Sequence, residues 1–190
     1  MLKSCTALVL CVASLGACDT RDPVEGRAAE PTPNPARAAL YACDEVGFVE
    51  GRSLQGRGFD RSRGGLLAEP RSSYVVFTSQ AYPKAARREL FRTYVGAIAA
   101  QFDASRGALA LAVGTDDGCG VGRTLSIWED ESALFDFASS GAHAEAMSRG
   151  EEYFESFKIT HWTASADEID SLDWTSARRA LEAAAPVWYD

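Results

Sequence analysis

Beyond residue 17, the 190-residue sequence contains no long run of apolar residues. A membrane-spanning helix needs about 20 of them in a row, so this part of the chain offers no candidate span. An excess of positive charge is also missing, because 19 Lys and Arg residues stand against 27 Asp and Glu residues and the formal net charge is −8. We therefore expect neither a nucleic-acid partner nor attachment to anionic lipid through net charge.

Side chains suited to metal or acid–base chemistry are scarce as well. The chain has two histidines, His143 and His161, and no asparagine follows Ser72. Two histidines on different elements do not make a metal site without a third ligand. The Gly-x-Ser-x-Gly motif of serine hydrolases is absent too. Neither a metal centre nor a Ser-His-Asp active site is predicted.

An export signal is the clearest feature at the N-terminus. Lys3 is followed by an apolar segment, and Leu15-Gly16-Ala17-Cys18 ends it with small residues before a cysteine. This segment resembles the lipobox of bacterial lipoproteins, which implies cleavage before Cys18 and acylation of the new N-terminal cysteine. The resemblance places the protein in the cell envelope, anchored by lipid and facing the periplasm, at the inner or the outer membrane. The alternative is an ordinary signal peptide with a chance cysteine.

The rest of the chain divides by composition. Residues 1–17 are the predicted signal peptide, and residues 18–39, rich in Pro, Ala and charged residues, are predicted to be a lipidated, disordered tether. Residues 40–71 are predicted to be an irregular N-terminal extension with a loop rich in Gly and Arg. Residues 72–190 form the predicted folded domain.

Cysteine usage predicts one disulfide. Cys43 and Cys119 are the thiols that remain if the signal peptide is removed and Cys18 is acylated. In an oxidising compartment such a pair is more often bonded than free. We predict a Cys43–Cys119 disulfide; the alternative is two thiols too far apart to meet.

Apolar periodicity predicts the elements of the folded domain. The β-rich run Tyr74–Thr78 precedes a segment after Pro83 with apolar residues at helical spacing. Strand patterns, a helical region and a last strand follow, at 108–113, 124–128, 131–154 and 157–163, and a terminal helix starts at Asp167. This β-α-β-β-α-β order predicts an α+β, ferredoxin-like fold with an appended C-terminal helix: a four-stranded antiparallel sheet with two helices on one face.

Several stretches of this domain carry a family resemblance. They are Thr124–Glu129, Ala133-Leu134, Phe137-Ala138, Gly141–Met147, Phe157–Trp162 and the pair Asp173-Trp174. Together they resemble the antibiotic biosynthesis monooxygenase group of the dimeric α+β barrel superfamily, over roughly residues 72–182. The resemblance implies that two sheets pair, as in a homodimer, into a barrel with a pocket in each subunit.

The relatives in this group differ in the reactions that they catalyse, so the resemblance does not imply a single chemistry. Some relatives are cofactor-free oxygenases of aromatic compounds and some degrade haem, using an asparagine on the first strand with a tryptophan and a histidine on the second helix. Here the first strand has no asparagine, and Phe137 and Met147 fall where the tryptophan and histidine are expected. His143 lies one turn earlier. Haem cleavage is therefore not supported, and no cofactor is predicted.

The candidate site residues follow from this resemblance and from the residue types. Trp128, His143 and Trp162 are candidates for ligand binding, and His143 and His161 are the candidates for catalysis. Strand alternation is interpreted as turning Trp128 away from the helices, into the barrel or the dimer interface. For His143 the alternative is packing at a helix end with a hydrogen bond to the backbone.

Two functional hypotheses follow. In the first, the protein is an envelope-anchored lipoprotein whose barrel domain binds a small apolar or aromatic molecule and, in the enzymatic version, oxidises it. In the second, the domain is a non-catalytic binding or assembly module of the cell envelope. The absence of an acid–base constellation favours the second, and the resemblance favours the first.

Overall fold

The structure is a computed structural model that describes residues 35–189. Its helices are α1 (Pro35–Tyr41), α2 (Arg88–Ala104), α3 (Glu131–Ala138), α4 (Gly141–Ser148), α5 (Gly150–Tyr153), α6 (Ala166–Asp170) and α7 (Trp174–Glu182). Its strands are β1 (Val49–Gly56), β2 (Phe59–Asp60), β3 (Gly65–Leu66), β4 (Tyr74–Pro83), β5 (Ala108–Asp116), β6 (Val121–Trp128), β7 (Phe154–Ala164) and β8 (Val187–Trp188). The predicted signal peptide, Cys18 and the tether up to residue 34 lie outside the described residues.

All of these strands join one antiparallel sheet. Its order is β3-β2-β1-β5-β6-β4-β7-β8, with β4 between β6 and β7. On β4, Thr78 lies opposite Leu125 of β6 and Thr160 of β7, and the register with β7 shifts only at the end of the strand, between Tyr82 and Pro83. The predicted mixed α+β fold with an antiparallel sheet is confirmed.

Helices α2 and α3 cover one face of the sheet. Val75 and Trp128 point from the sheet into an apolar cluster that Phe102 of α2 and Phe137 of α3 complete. The Phe102 and Trp128 rings meet edge to face at 4.8 Å between centroids. This geometry is favourable for aromatic pairs and adds to the free energy gained from burial. We call this surface the helix face.

The opposite face is covered by other segments of the same chain. Leu54 and Phe59 of the N-terminal strands, together with Ile169 of α6 and Ala177 of α7, pack on the sheet in one buried cluster around Ile127. We call this surface the extension face. The resemblance assigns such a face to a second sheet, whereas here residues before β4 and after β7 occupy it. The homodimer stays a prediction.

The orientation predicted for Trp128 is wrong. Trp128 shares its side of β6 with Ser126, to which its indole Nε1 donates a hydrogen bond of 2.9 Å. The alternation along the strand is as predicted, but the side that carries Trp128 is the helix face. Both faces of β6 are covered by protein, so alternation alone does not say which of them meets the helices.

The prediction of an irregular extension at 40–71 is also wrong for its central part. Residues 49–66 contain β1, β2 and β3, and β1 pairs with β5. Glycine makes this close approach possible: a Cβ atom on Gly56 or Gly58 would collide with Leu109 of β5. Glycines that suggest a loop in the sequence are thus required by strand packing.

The chain ends differ from the prediction in smaller ways. Helix α1 begins at Pro35, inside the segment predicted to be tether. The single C-terminal helix is two helices, because Ser165 caps α6 and the Asp173 carboxylate accepts a hydrogen bond from the Ser176 amide at the start of α7. Among residues 35–189, no helix combines the length and apolar character needed to cross a membrane.

Candidate functional site

The predicted disulfide is confirmed, and it joins the N-terminal segment to the β5–β6 turn. Cys43 and Cys119 are bonded, with their Cα atoms 5.8 Å apart. Asp116, buried beside them, accepts hydrogen bonds from the amides of Cys119 and Gly47 at 2.9 and 2.8 Å. The covalent bond and this carboxylate together hold residues 43–47 against the end of the sheet.

A cleft of about 240 Å³ lies beside this attachment, on the extension face. We call it the Arg123 cleft. The N-terminal segment, the sheet and helix α7 all contribute lining residues: Tyr41, Cys43, Asp44, Glu45, Gln80, Arg123, Lys158, Arg178, Leu181 and Glu182. Parts distant in sequence thus meet at one concave surface, which is the usual setting of a small-molecule site.

Strand register builds the floor of the cleft. Gln80 of β4 lies directly opposite Arg123 of β6 on one side and Lys158 of β7 on the other. Neighbouring strands lie about 4.8 Å apart, so these three side chains form one row across the sheet. The row presents an amide, a guanidinium and an ammonium group, all of which donate hydrogen bonds.

Glu45 is the carboxylate at the centre of this arrangement. Arg123 donates to it from Nε at 2.8 Å and from Nη2 at 2.6 Å, and Arg178 of α7 donates from Nη2 at 3.1 Å. Gln80 Nε2 lies 3.3 Å from the same carboxylate. Both members of the Glu45–Arg123 pair are almost fully buried, at 8% and 6% exposure. Two arginine contacts to one carboxylate leave a local excess of positive charge.

The backbone of Glu45 is unusual. Its φ of 50° makes it the sole non-glycine residue with positive φ among residues 35–189. Such a conformation costs about 1–3 kcal/mol and persists where the surroundings enforce it. At Glu45 the surroundings are the arginine contacts to its carboxylate and the nearby disulfide. They hold the backbone in this conformation, and the conformation in turn fixes the position of the Glu45 side chain.

The cleft shifts the ionisation of its acidic groups in opposite directions. Burial works to raise the pKa of Glu45, but the hydrogen bonds and charges of Arg123 and Arg178 outweigh it and hold that pKa below its usual range. Burial, with the negative charge of Glu45, raises the pKa of Tyr82 to about 12. Near neutral pH, Glu45 is therefore a carboxylate and Tyr82 a neutral phenol.

Two cationic groups of the cleft keep unused hydrogen-bonding capacity. In the described part of the chain, the buried Nη1 atom of Arg123 has no hydrogen-bond partner. Lys158 forms no ion pair with any carboxylate of residues 35–189, and its Nζ lies 4.8 Å from the centre of the Tyr41 ring. The Arg123 nitrogen has almost no accessible surface, so the donor that a molecule in the cleft can reach is the ammonium group of Lys158.

The predicted residues Trp128 and His143 lie together on the helix face, joined by Phe137. The Phe137 ring centre lies 5.0 Å from that of Trp128 and 5.0 Å from that of His143. The imidazole Nδ1 of His143 donates to the Ala138 carbonyl at 2.9 Å, which is the backbone contact of the alternative interpretation. Burial lowers the pKa of His143, and the bond to Ala138 opposes this. Trp128 and Phe137 are buried, and His143 is half-buried beside them.

Trp162 and His161 lie elsewhere. Trp162 packs against the buried cluster of the extension face. His161 is on the opposite side of β7, where its Nε2 lies 3.3 Å from the Glu131 carboxylate and its ring contacts Phe135. The structure thus separates Trp162 from Trp128 and His143. Residues 35–189 also hold no group of three or more His, Cys, Asp and Glu side chains placed to bind a metal ion.

Sequence reasoning missed the residues that form the cleft. Arg123 directly precedes the predicted strand 124–128, and neither it nor Glu45 nor Arg178 is among the predicted site residues. A usable signal was present, because Arg123 shares its side of β6 with Leu125 and Ile127, which are apolar. A charged residue on an apolar strand face is rarely buried without a partner.

Comparison with known proteins gives a family match without an assigned activity. The model of a domain of unknown function, DUF3291, matches residues 87–180, which is just under half of the chain. This match runs from the start of α2 into α7 and leaves out Glu45, Cys43 and Gln80. No curated protein matches the sequence.

Several solved structures are similar in fold. A candidate monooxygenase from Fusobacterium nucleatum aligns over 59% of this chain and 48% of its own, about half its length, with 11% identity and a TM-score of 0.49. A protein from Pseudomonas aeruginosa aligns over 50% of this chain and 97% of its own, with 17% identity and a TM-score of 0.46. A candidate antibiotic biosynthesis monooxygenase from Chloroflexus aurantiacus aligns over 48% of this chain and 91% of its own, with 12% identity and a TM-score of 0.40. The structural neighbours thus include proteins of the monooxygenase-like type.

Proposed function

We propose that this protein is an exported, lipid-anchored binding protein that holds a small molecule in the Arg123 cleft. The observation that carries the proposal is the cleft itself, a concave space of about 240 Å³ where the N-terminal segment, the sheet and α7 meet. Lys158 lines it, is half-buried, and has no carboxylate partner within residues 35–189, so its ammonium group can donate to a bound molecule.

The chemistry of the cleft favours binding over acid–base catalysis. Two of the cleft's polar side chains are arginines, a residue type that binds anions and carbonyl oxygens rather than exchanging protons with a substrate. The lowered pKa of Glu45 makes it a weak base, and the pKa of Tyr82, about 12, makes it a weak acid. A general acid or base needs a pKa near the working pH. The second hypothesis, a non-catalytic binding module, therefore fits these residues better.

For the folded domain we propose a ferredoxin-like centre. Strands β4, β5, β6 and β7 lie in the spatial order β5-β6-β4-β7, with α2 between the first two in sequence and α3 to α5 before the last. This is the strand order that a β-α-β-β-α-β chain gives in that fold. Strands β1 to β3 then extend the sheet beyond β5.

The envelope location is proposed from the sequence and supported by the disulfide. Leu15-Gly16-Ala17-Cys18 has the character of a lipoprotein cleavage site. The Cys43–Cys119 bond is of a kind that persists in oxidising compartments such as the periplasm. Acylation of Cys18 would hold the cleft-bearing domain at the membrane surface, with two or more chains giving stable attachment.

Binding in the cleft is tested by fragment screening of the mature protein. We expect members of a mixed library of acidic, basic and neutral small molecules to shift the amide NMR signals of Tyr41, Lys158 and Leu181. The substitution Glu182→Trp, at the exposed rim of the cleft, should abolish these shifts by filling the entrance. Arg179→Trp, on the same helix but outside the lining, is the control. Fragments that bind only at the helix face, or none that bind at all, would refute the proposal.

Anchoring is tested by fractionating cells that express the full chain. Cys18→Ser should move the protein from the membrane fraction to the soluble envelope fraction and abolish incorporation of a labelled fatty acid, because Cys18 is the proposed acylation site. The control is Cys11→Ser, which lies in the segment predicted to be removed. A Cys18→Ser protein that remains in the membrane fraction would contradict lipid anchoring.

A further inference from the structure

We propose that two copies of this chain pair through the open edge of strand β7. Residues 159–163 of each copy form antiparallel backbone hydrogen bonds around a two-fold axis at His161. The proposal goes beyond the binding function and does not depend on a ligand in the Arg123 cleft. Three features carry it: the unpaired backbone of β7, the apolar side chains beside it and the contrast with the other exposed edge of the sheet.

Most of the outer edge of β7 has no neighbouring strand. Strand β4 pairs with β7 from end to end, whereas β8 pairs with it only at residues 156–157. On that outer side, the Glu155 carbonyl accepts a hydrogen bond from the Tyr189 amide. Because backbone groups alternate in direction along a strand, three further residues direct theirs outward: Ile159, His161 and Thr163. Within residues 35–189, no backbone hydrogen bond satisfies these outward groups.

An antiparallel edge of this kind is complementary to itself. With the axis at His161, Ile159 lies opposite Thr163 of the second copy, and the two copies of His161 lie opposite each other. Opposing residues of this type exchange two backbone hydrogen bonds in each pair. The occupant must be an extended strand with an unpaired edge, and a second copy supplies one of matching length. The contact is closed, because both copies use the same surface and neither keeps a free β7 edge.

Apolar side chains flank the edge on the helix face. Ile159 is 49% exposed and Phe135 of α3 is 52% exposed. The Phe135 and His161 rings are in contact, with their centres 5.7 Å apart, so Phe135 lies beside the proposed axis. Pairing brings both copies of these side chains together and removes apolar surface from water. The Glu131 carboxylate, 3.3 Å from His161 Nε2, offsets positive charge where the two imidazoles meet.

The other exposed edge of the sheet is protected against such pairing. Strand β1 is open over residues 49–53, because β2 pairs only with its last two residues. Its register with β5 shifts twice, and Glu50 and Arg52 add charged side chains. Bulges and charges are the usual means of preventing edge-to-edge association. Residues 156–164 of β7 have a regular register and no proline, and their lysine, Lys158, turns away to line the Arg123 cleft.

The association state is tested on the mature protein carrying Cys18→Ser, so that no acyl chain contributes. Sedimentation equilibrium over a range of protein concentrations should show a reversible monomer–dimer equilibrium. Ile159→Lys should raise the dissociation constant about tenfold or more, because pairing would bury a lysine at the strand edge. The control Val49→Lys, an exposed apolar residue on the protected edge, should leave it unchanged. Ile159 is half-exposed, so its variant should fold, and a thermal melt verifies this. A protein that stays monomeric at every concentration would overturn the proposal.

Hydrogen exchange identifies the edge that pairs. The outward amides of Ile159, His161 and Thr163 should exchange slowly at high protein concentration and rapidly on dilution. The amides of Thr160 and Trp162, which face β4, should stay protected at both concentrations. A dimer whose outward amides always exchange rapidly forms elsewhere, and the proposal is then wrong. Outward amides that are protected in the monomer would mean that another segment of the same chain covers this edge.

A cysteine substitution tests the position of the axis. In His161→Cys, the two new thiols lie directly opposite each other, with their Cα atoms about 5.5 Å apart, which a disulfide can span. A mild oxidant should therefore give a covalent dimer on a non-reducing gel. Thr163→Cys, the control, should not, because residue 163 faces Ile159 of the second copy. Equal cross-linking of the two variants, or none in either, would contradict pairing around His161.

Discussion

The double substitution Cys43→Ser/Cys119→Ser is expected to lower the free energy of unfolding by about 4 kcal/mol. The bond closes a long loop, since its cysteines are 76 residues apart in sequence. In the chain-entropy model, a disulfide that closes a loop of this length lowers the conformational entropy of the unfolded state, and this stabilises the folded state by about 4–5 kcal/mol. Urea denaturation of the mature protein, followed by tryptophan fluorescence, measures the change.

The double variant should still fold. Neither cysteine belongs to the two buried apolar clusters, and the Asp116 carboxylate continues to bind the Gly47 amide. Wild-type protein unfolded and refolded in a reducing agent is the matched control and should show the same loss. A decrease below about 1 kcal/mol would show that the bond contributes little to stability.

The disulfide could be predicted from sequence because it follows from counting. Two cysteines remain after the signal peptide and Cys18 are set aside, so only one intramolecular pair is possible. The strands and helices from Tyr74 to Thr163 could be predicted for a similar reason. Their apolar periodicity reflects burial on one or both faces of each element, and burial by the rest of the domain fixed their type.

The placement of segments outside this centre could not be predicted in the same way. The Gly- and Arg-rich stretch before β4 has weak periodicity, and its strands exist because β5 offers an edge and an apolar cluster to pack on. Tertiary contacts thus override local composition here. The prediction of the Trp128 orientation was wrong for a related reason. The segments that cover the extension face bury the second side of β6, so both sides of the strand carry buried residues.

The Arg123 cleft is the least predictable feature. Glu45, Gln80 and Arg178 come from an irregular segment, a strand and a helix, and no spacing in the sequence relates them. Only the register of β4 with its neighbours and the packing of α7 bring them within hydrogen-bond distance. Sequence reasoning finds residue types suited to chemistry, such as the two histidines, and neither of them lines the Arg123 cleft.

Glu45→Ala is expected to destabilise the protein by about 3–5 kcal/mol. The substitution leaves Arg123 buried with its charge unopposed, and removing one partner of a buried ion pair costs this much. Thermal and urea unfolding measure the loss. The exposed Arg52–Asp103 pair is the matched control, and Asp103→Ala should cost less than about 1 kcal/mol because water screens that contact.

The paired substitution Glu45→Leu/Arg123→Met distinguishes the ion pair from the packing. Replacing both charges by apolar side chains should recover most of the lost stability, since no buried charge is left without a partner. If Glu45→Ala alone is nearly neutral, then the carboxylate does not compensate Arg123 and the charge balance assigned to the cleft is incorrect. If the paired variant is as unstable as the single one, the cost arises from lost packing.

The pH dependence of stability should also report the contacts of the Glu45 carboxylate. The folded-state pKa of Glu45 lies below that of an unfolded glutamate, about 4.3, so the folded protein binds this proton more weakly than the unfolded chain. Its contribution to stability is present above pH 4.3 and is lost as pH falls through the folded-state pKa. The difference in unfolding free energy between wild type and Glu45→Gln should thus be constant at neutral pH and shrink in this acidic range. A difference that stays constant down to the acid transition would mean that Glu45 is not held as a carboxylate.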